Sequence, residues 1–323
     1  MLTMRDSLRM IVSDVDDTLA NVYEPASEAI ICGLNAMLER GKRFFFISGQ
    51  GERNICERIV CRLNPIYRNQ ILLGTCSGAE VWGFSADGEL AKAPFYSLYE
   101  DRFNEEMKRE WREILREIID DFGFHALETM PRDRFAEVSC GDPKIIMYED
   151  RRAQITFEVV NGCNLDEEQY RYFKERVPYL LPNRDLRASI IQHANEIFEK
   201  KNIPITARAA GTFAVDFAVK GVTKTTAIEA IMYHGKAAAY WENIPSKEEM
   251  PFVLEIWGDK FSTVNGGTDT HMCEAFPHDV MALDFREEPK EELPKEFNVV
   301  LWDGEQHLCK GTEEYMKRSG LIS

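Results

Sequence analysis

The sequence predicts an α/β protein in which a parallel sheet carries an inserted α+β domain. Short apolar runs alternate with helical patterns near the start of the chain, and the same alternation returns near its end. The middle of the chain mixes strands and helices without that spacing. Because 323 residues exceed the usual size of a single core, two domains are the default expectation.

The first part of the chain has the βαβαβ pattern of a parallel sheet. An apolar strand pattern ends at Ser13, residues 27–40 carry apolar side chains at helical spacing, and Gly41 supplies a helix stop. The next candidates in order are a buried strand at 44–47, a helix at 52–62 and a strand at 71–73. Ligands of such sheets bind beyond the carboxyl ends of the strands, where we expect the functional site.

The middle of the chain predicts an inserted domain at residues 85–212, within the normal size range of a domain. Its expected elements are helices at 102–122, 166–176 and 186–201 and strands at 144–148 and 153–160. Residues 1–84 and 213–323 then form the core domain. In its second part we expect strands at 213–219, 252–257, 281–285 and 299–302 and a helix that opens at 221–224.

Composition excludes several functional classes. With 44% apolar and 29% charged residues the chain is typical of a soluble globular protein, and its formal charge of −16 argues against a nucleic-acid partner. The sequence shows neither a signal peptide nor an apolar run long enough to cross a bilayer, so no membrane partner is expected. Eight scattered cysteines without a C-x-x-C pair favour reduced thiols, and we expect a cytoplasmic protein.

The segment DVDDT at residues 14–18 places Asp14, Asp16 and Asp17 directly after the first strand. Crowded carboxylates repel one another, so the segment predicts either a divalent metal site or an acid/base pair with separated pKa values. A solvated acidic turn is the alternative. We expect Asp17 to organise the turn, and we assign Thr18 no catalytic role.

Three further segments bring polar residues to the predicted site. Ser48 and Gly49 follow the second strand, and Asp259 ends a later apolar strand ahead of a glycine-rich loop that leads to Asp269. Lys224 lies in the first turn of a helix, where its charge opposes the helix dipole and an anionic ligand would explain it. Each of these residues has an ordinary explanation when taken alone: a turn after a strand, or a solvated side chain.

Together the four segments resemble the motifs of the haloacid dehalogenase (HAD) superfamily. The matching segments, in order and spacing, are DVDDT at 14–18, ISG at 47–49, GVTK at 221–224 and GDKFSTVNGGTD at 258–269. The segment EDRRAQITFEVV at 149–160 is similar to the large cap of subgroup IIB, which includes phosphomannomutases and sucrose-phosphate and other sugar phosphatases. The resemblance implies a Rossmann-like core and a cap domain that selects the substrate.

The resemblance also implies roles for individual residues. Asp14 would attack phosphorus to form an aspartyl-phosphate, and Asp16 would act as acid and then base. The implied cofactor is Mg²⁺, with Asp14, the main-chain carbonyl of Asp16 and Asp259 as ligands. Ser48, the amide of Gly49 and Lys224 would bind the phosphoryl oxygens.

Supporting roles are implied for four other residues. Asp269 would bind a metal-bound water or contact Lys224, with Thr268 beside it. In the cap, Arg151 and Arg152 would contact a sugar phosphate; as the alternative, they are solvated charges that discourage edge-to-edge strand pairing.

The sequence departs from the family pattern at three positions and leaves three functions open. Gln50 stands where many relatives carry arginine, Thr268 replaces the usual asparagine, and Ser77 opens a loop that commonly begins with asparagine. The first hypothesis is a Mg²⁺-dependent phosphatase acting on a small-molecule phosphomonoester such as a sugar phosphate. The second is a hexose phosphomutase, and the third is a catalytically inactive binding protein that retains the fold.

Overall fold

The structure is a computed structural model that describes residues 1–210, 213–262, 264 and 267–323. The chain divides into two compact units. The first unit joins Met1–Ser97 to Val222–Ser323, and the second consists of Leu98–Gly221. Among the described residues, no helix is both long and apolar enough to cross a membrane.

The regular elements are numbered in chain order. Up to residue 97 they are β1 (Met10–Ser13), α1 (Glu28–Glu39), β2 (Arg43–Ile47), α2 (Glu52–Arg58), β3 (Ile71–Thr75), β4 (Glu80–Gly83) and β5 (Tyr96–Ser97). The second unit contains α3 (Leu98–Arg102), α4 (Glu105–Phe122), β6 (His125–Leu127), α5 (Arg132–Ser139), β7 (Ile145–Asp150), β8 (Gln154–Glu158), α6 (Glu167–Arg176), α7 (Leu186–Lys201), β9 (Ile205–Ala210) and β10 (Ala214–Val219). The first unit ends with α8 (Lys224–Met232), α9 (Met250–Val253), β11 (Leu254–Gly258), α10 (Thr270–Cys273), β12 (Met281–Asp284), β13 (Val299–Leu301) and α11 (Leu308–Arg318).

The first unit is built on an eight-stranded sheet with the order β13-β12-β11-β1-β2-β3-β4-β5. All neighbours from β13 to β3 pair in parallel, and only the pairs of β4 with β3 and β5 are antiparallel. Strand β1 lies in the interior of the sheet, between β2 and β11, and β11 comes from a distant part of the chain. The predicted α/β fold with a mainly parallel sheet is confirmed, and the carboxyl ends of β1, β2, β11 and β12 share one edge.

The core of this unit explains why the sequence folds around β1. A strand that is buried on both faces has a continuous apolar sequence. Strand β2 is such a strand, because Phe44, Phe45 and Phe46 are fully buried. Trp257 of β11 packs edge-on against Phe44, with ring centroids 6.2 Å apart. Helix α1 begins where expected, because the Ser27 hydroxyl accepts a hydrogen bond from the amide of Ile30.

The second unit contains a five-stranded sheet with the order β6-β7-β8-β10-β9. Strand β10, which we assigned to the core domain from residue 213, belongs to this sheet and pairs antiparallel with β8 and β9. Its Phe217 ring lies 4.8 Å from that of Phe157, so its apolar side chains are buried inside the second unit. The observed division at residues 97/98 and 221/222 therefore differs from the predicted one at 84/85 and 212/213, and residue 212 lies outside the described residues.

Two other elements differ from expectation. The helix predicted at 52–62 ends at Arg58 and gives way to a short 3₁₀ turn, Val60–Arg62. The segment after residue 285, to which we assigned no role beyond a strand at 299–302, forms β13 and the amphipathic helix α11. Helix α11 packs on α1 so closely that a Cβ atom on Gly33 would lie 2.3 Å from the Met316 sulfur.

Candidate active site at the carboxyl edge of the parallel sheet

Asp14 leaves the end of β1 as a buried carboxylate with 8% of its surface exposed. Its amide donates to the Trp257 carbonyl of the neighbouring strand, so the sheet still holds its main chain. The loop then turns sharply, since Asp17 has a left-handed φ of 61° and its amide donates to the Ala20 carbonyl at 2.8 Å. Asp14 therefore lies at the carboxyl edge of the sheet, where β1 ends and a tight turn begins.

Lys224 connects two of the predicted carboxylates. It is the first residue of α8 and 95% buried, and its Nζ lies 2.5 Å from Asp14 Oδ1 and 2.7 Å from Asp269 Oδ1. Burial alone would lower the pKa of Lys224, but the two carboxylates outweigh burial and raise that pKa above its ordinary value. Lys224 is therefore an ammonium ion despite its burial.

Asp14, Asp259 and Asp269 form a buried carboxylate cluster in which one oxygen from each lies within 4.8 Å of the others. Burial, followed by the charge of Asp269, raises the pKa of Asp259 to about 8. Burial likewise raises the pKa of Asp14, against the opposing effect of Lys224. Arg286 contacts the cluster from outside, with its Nη2 2.6 Å from Asp259 Oδ2.

Asp269 has a second function in organising this cluster. Its Oδ2 accepts hydrogen bonds from the amides of Asp259 and Lys260, at 3.0 and 2.9 Å. Gly258 makes this approach possible, because a Cβ atom there would lie 2.5 Å from Asp269 Oδ2. Of the two roles we considered for Asp269, the contact with Lys224 is the one present in the structure.

The Asp16 carboxylate lies outside the cluster of three. Its Oδ2 accepts a hydrogen bond from the Ser48 hydroxyl at 2.8 Å, and Ser48 Oγ in turn accepts one from the amide of Gln50. Its Oδ1 lies 2.7 Å from Nη1 of the buried Arg58. The two acidic residues of the first motif thus have different surroundings: Asp14 contacts a lysine and Asp16 an arginine and a serine.

The donor set of the cluster suits a hard divalent cation. Three carboxylates supply oxygen ligands, the type that Mg²⁺ prefers. Burial raises the pKa values of Asp14 and Asp259 although a lysine and an arginine contact them, so a bound cation would favour their ionised forms. The side-chain cluster contains Asp14 and Asp259 of the predicted ligands and adds Asp269, whereas the Asp16 side chain is outside it.

The remaining predicted core residues lie at the same loops. Gly49 is half-buried two residues after the end of β2, and Thr268 is exposed directly before Asp269. The glycine-rich loop of the fourth motif contains Thr263, Asn265 and Gly266, which lie outside the described residues.

Arg151 and Arg152 lie in the second unit, in the short connection between β7 and β8. Arg151 is 92% buried as a residue, and its Nη2 lies 2.5 Å from Glu149 Oε2. Nη2 of Arg152 lies 2.7 Å from Glu100 Oε1. Since β7 and β8 are interior strands of the five-stranded sheet, the alternative of protective charges on an edge strand does not apply to them.

Three residues at the site were not predicted to act there. Arg58 lies one turn after the buried Ile55, a spacing that could have indicated a buried guanidinium. Arg286 directly follows the strand predicted at 281–285. Because residues that follow parallel strands lie at the carboxyl edge of the sheet, the sequence could have placed Arg286 beside Asp14. Thr18 donates a hydrogen bond to Asp259 Oδ1 at 3.3 Å, a contact between distant segments that the sequence does not reveal.

Several solved structures are similar to the chain. One is the C-terminal domain of C. albicans trehalose-6-phosphate phosphatase, with 14% identity, coverage of 98% of this chain and 94% of that chain, and a TM-score of 0.57. Another is a haloacid dehalogenase-like hydrolase from Bacteroides thetaiotaomicron, with 14% identity, 96% and 99% coverage and a TM-score of 0.52. A third is a trehalose-6-phosphate phosphatase related protein, with 15% identity, 96% coverage of both chains and a TM-score of 0.51.

No protein-family model matches the sequence, and no curated protein matches it. The identities to the solved structures are low, and what these structures share with the chain is the fold. The chain has the fold of the haloacid dehalogenase superfamily, as the four motifs predict.

Proposed function

We propose that this protein is a Mg²⁺-dependent phosphatase that hydrolyses a small phosphomonoester, with sugar phosphates as the substrate class, through a phosphorylated Asp14. One observation carries the proposal. Asp14, Lys224, Asp259 and Asp269 come from three distant segments and converge on one buried site, with Lys224 Nζ 2.5 Å from Asp14. A nucleophile beside a fixed cation is what phosphoryl transfer requires.

The first chemical step uses Asp14 and Asp16. An Asp14 carboxylate oxygen forms a bond to phosphorus while the bond from phosphorus to the ester oxygen breaks. Asp16 enters this step with a proton on Oδ2 while Oδ1 still accepts from Arg58, and it gives that proton to the departing oxygen, so that a neutral alcohol leaves. In the second step Asp16 takes a proton from water, which attacks phosphorus and releases inorganic phosphate from Asp14.

The other site residues bind charge that the reaction places on the phosphoryl oxygens. We assign Lys224 and the Gly49 amide to those oxygens, together with the Ser48 hydroxyl, which would turn from Asp16 Oδ2 to the phosphoryl group once the ester is bound. Mg²⁺, when bound by Asp14 and Asp259, would neutralise charge between the nucleophile and the phosphoryl group. Asp269 orients both Lys224 and the Asp259 loop through the contacts described above.

Substrate selection is assigned to the second unit, with Arg151 and Arg152 as candidate substrate contacts. This assignment is supported by the similarity of residues 149–160 to sugar-phosphatase caps.

A substrate panel tests the proposed function. Hexose phosphates, trehalose 6-phosphate, nucleoside monophosphates and glycerol phosphate are incubated with the purified protein, with Mg²⁺ or with EDTA, and released phosphate is measured. We expect phosphate release that stops in EDTA and returns when excess Mg²⁺ is added. Conversion between hexose 1- and 6-phosphates without phosphate release would instead support a phosphomutase, and no reaction with any ester would support a binding protein.

Asp14→Asn provides the matching variant. Removal of the nucleophile should lower the rate of release by about 10³-fold or more, since residual activity would come from binding alone. Asp87→Asn, which makes the same chemical change at an exposed position of the first unit, should leave the rate unchanged. Equal activity of the Asp14→Asn and Asp87→Asn variants would refute the assignment of the nucleophile.

A further inference from the structure

The guanidinium of Arg58 is buried beneath the loop that follows β1. Arg58 is 4% exposed and ends helix α2, and its side chain makes four hydrogen bonds. Nε donates to the Glu24 carbonyl at 2.8 Å, and Nη2 donates to the Asn21 carbonyl at 2.6 Å. Nη1 donates to Asn54 Oδ1 at 2.8 Å and to Asp16 Oδ1 at 2.7 Å. One planar group thus connects the loop main chain to the Asp16 carboxylate.

Both carboxylate oxygens of Asp16 accept hydrogen bonds from side chains of the protein. Arg58 binds Oδ1 and the Ser48 hydroxyl binds Oδ2, so rotation about the last side-chain bond of Asp16 would break two charge-assisted hydrogen bonds. The Asp16 side chain still keeps 22% of its surface exposed, whereas that of Arg58 keeps 5%. The carboxylate is therefore accessible to a ligand while its orientation is set from beneath.

We infer that Arg58 is the positioning residue for Asp16: it sets the orientation in which Asp16 exchanges a proton with the ester oxygen. This inference rests on the proposed function and adds a residue to it. Arginine suits the position because its rigid fork binds two loop carbonyls and a carboxylate at once, which a lysine ammonium cannot do in the same geometry. Its contribution is to the geometry of proton transfer, where a displacement of about 1 Å costs on the order of 10²-fold in rate.

Arg62 provides a matched control four residues along the chain. Its guanidinium also donates to a loop carbonyl, that of Ala26, and pairs with Glu28 at 2.6 Å. These contacts of Arg62 do not involve Asp16. Substitution of Arg62 therefore removes the same type of loop contact without removing the contact to the carboxylate.

The test compares two esters that differ in their need for a proton. The alkoxide that leaves an alkyl phosphomonoester must be protonated, whereas the phenolate that leaves p-nitrophenyl phosphate leaves without a proton. We therefore measure the first phosphoryl transfer in single-turnover experiments, at saturating Mg²⁺, for the wild type, Arg58→Met, Arg58→Lys and Arg62→Met. The alkyl ester is the best substrate found in the panel.

We expect Arg58→Met to lower the first-step rate with the alkyl ester by about 10²-fold, to change the rate with p-nitrophenyl phosphate much less, and to leave KM for both esters nearly unchanged. Arg58→Lys should recover part of the lost rate. Arg62→Met should behave as the wild type. Equal losses for the two esters in Arg58→Met, or the same pattern in Arg62→Met, would overturn the inference.

A milder variant decides the question if Arg58→Met fails to fold. Asn54→Ala removes one partner of Arg58 Nη1 and leaves the guanidinium in place, so the same difference between the two esters should appear at smaller size. Absence of that difference would count against the inference. Failure of the proposed function gives a separate result, because the wild type itself would then hydrolyse neither ester.

Discussion

At the scale of single residues, the main feature is the buried ammonium group of Lys224, which pairs with two buried carboxylates. A lysine at the start of a helix opposes the helix dipole, and the sequence alone also allowed a solvated side chain. The structure places it between Asp14 and Asp269, at 2.5 and 2.7 Å, where it compensates two buried carboxylates. We therefore expect Lys224 to stabilise the site as well as to take part in the proposed chemistry.

Loss of this cation should be costly. Lys224→Met leaves two buried carboxylates without their shared partner and should lower the free energy of unfolding at neutral pH by about 3–5 kcal/mol. Urea denaturation followed by circular dichroism measures this change. Lys220→Met, at an exposed position, should have little effect. The double variant Lys224→Met/Asp269→Asn should be more stable than Lys224→Met, and a double variant that is less stable would contradict the charge argument.

Residues that follow parallel strands could be predicted at this scale, because such strands present their carboxyl ends at one edge. Asp14, Ser48 and Asp259 were found in this way. Arg58 and Thr18 were missed for a different reason: their contacts depend on which distant segments pack together, and neither residue follows a strand. The positions of these side chains were therefore more accessible from the sequence than the hydrogen bonds that support them.

At the scale of elements, helix α11 is the main addition to the sequence-based prediction. It packs on α1 and reaches the loop after β1, where the buried Thr312 hydroxyl donates to the Thr18 carbonyl at 2.6 Å. Thr18 in turn donates to Asp259 Oδ1. The last helix therefore supports the loop that carries Asp14 and Asp16, although it lies outside the four motifs.

Thr312→Val tests this support. Valine keeps the shape but leaves the buried Thr18 carbonyl without its donor, so the free energy of unfolding should fall by about 1–3 kcal/mol. Thr312→Ser restores a hydroxyl and should recover most of that loss. Chemical denaturation of both variants provides the comparison, and equal stabilities of the valine and serine variants would show that the hydrogen bond is unimportant.

Elements with strong local patterns were predicted well, whereas those defined by their partners were not. Strand β2 and helix α1 carry clear periodicity and a Ser27 cap, and they lie within one or two residues of the expected bounds. Strand β10 was recognised as a strand but placed in the wrong sheet. Its apolar residues suit either sheet, and only the antiparallel pairing with β8 and β9 decides between them.

At the scale of the whole molecule, one buried carboxylate links distant parts of the first unit. Glu255, in the central part of the large sheet, is fully buried and accepts hydrogen bonds from Trp257 Nε1 and the Tyr315 hydroxyl, at 3.1 and 3.0 Å. Arg5 contacts it at 3.3 Å. Burial outweighs these contacts and raises the pKa of Glu255 above its ordinary value.

The raised pKa predicts a pH dependence of stability. A carboxyl whose pKa is raised on folding stabilises the protein below its unfolded pKa of about 4.3, and this contribution is lost as pH rises through the folded pKa. Glu255→Gln cannot ionise and lacks this dependence. As pH rises above about 4.3, the wild type should therefore lose unfolding free energy relative to Glu255→Gln.

Denaturation curves across this pH range measure the shift. Glu89→Gln, at an exposed position, serves as the control, and its difference from the wild type should stay nearly constant with pH. A difference for Glu255→Gln that is equally constant would show that Glu255 titrates normally in the folded protein.

The most direct test of the account is identification of the phosphorylated residue. The protein is mixed with its best phosphomonoester and Mg²⁺, quenched in acid within the first turnover, digested and examined by mass spectrometry. We predict one phosphoryl group on the peptide that contains Asp14, absent in Asp14→Asn and in samples that contain EDTA. A phosphoryl group on another residue, or steady turnover by Asp14→Asn, would contradict the proposed function.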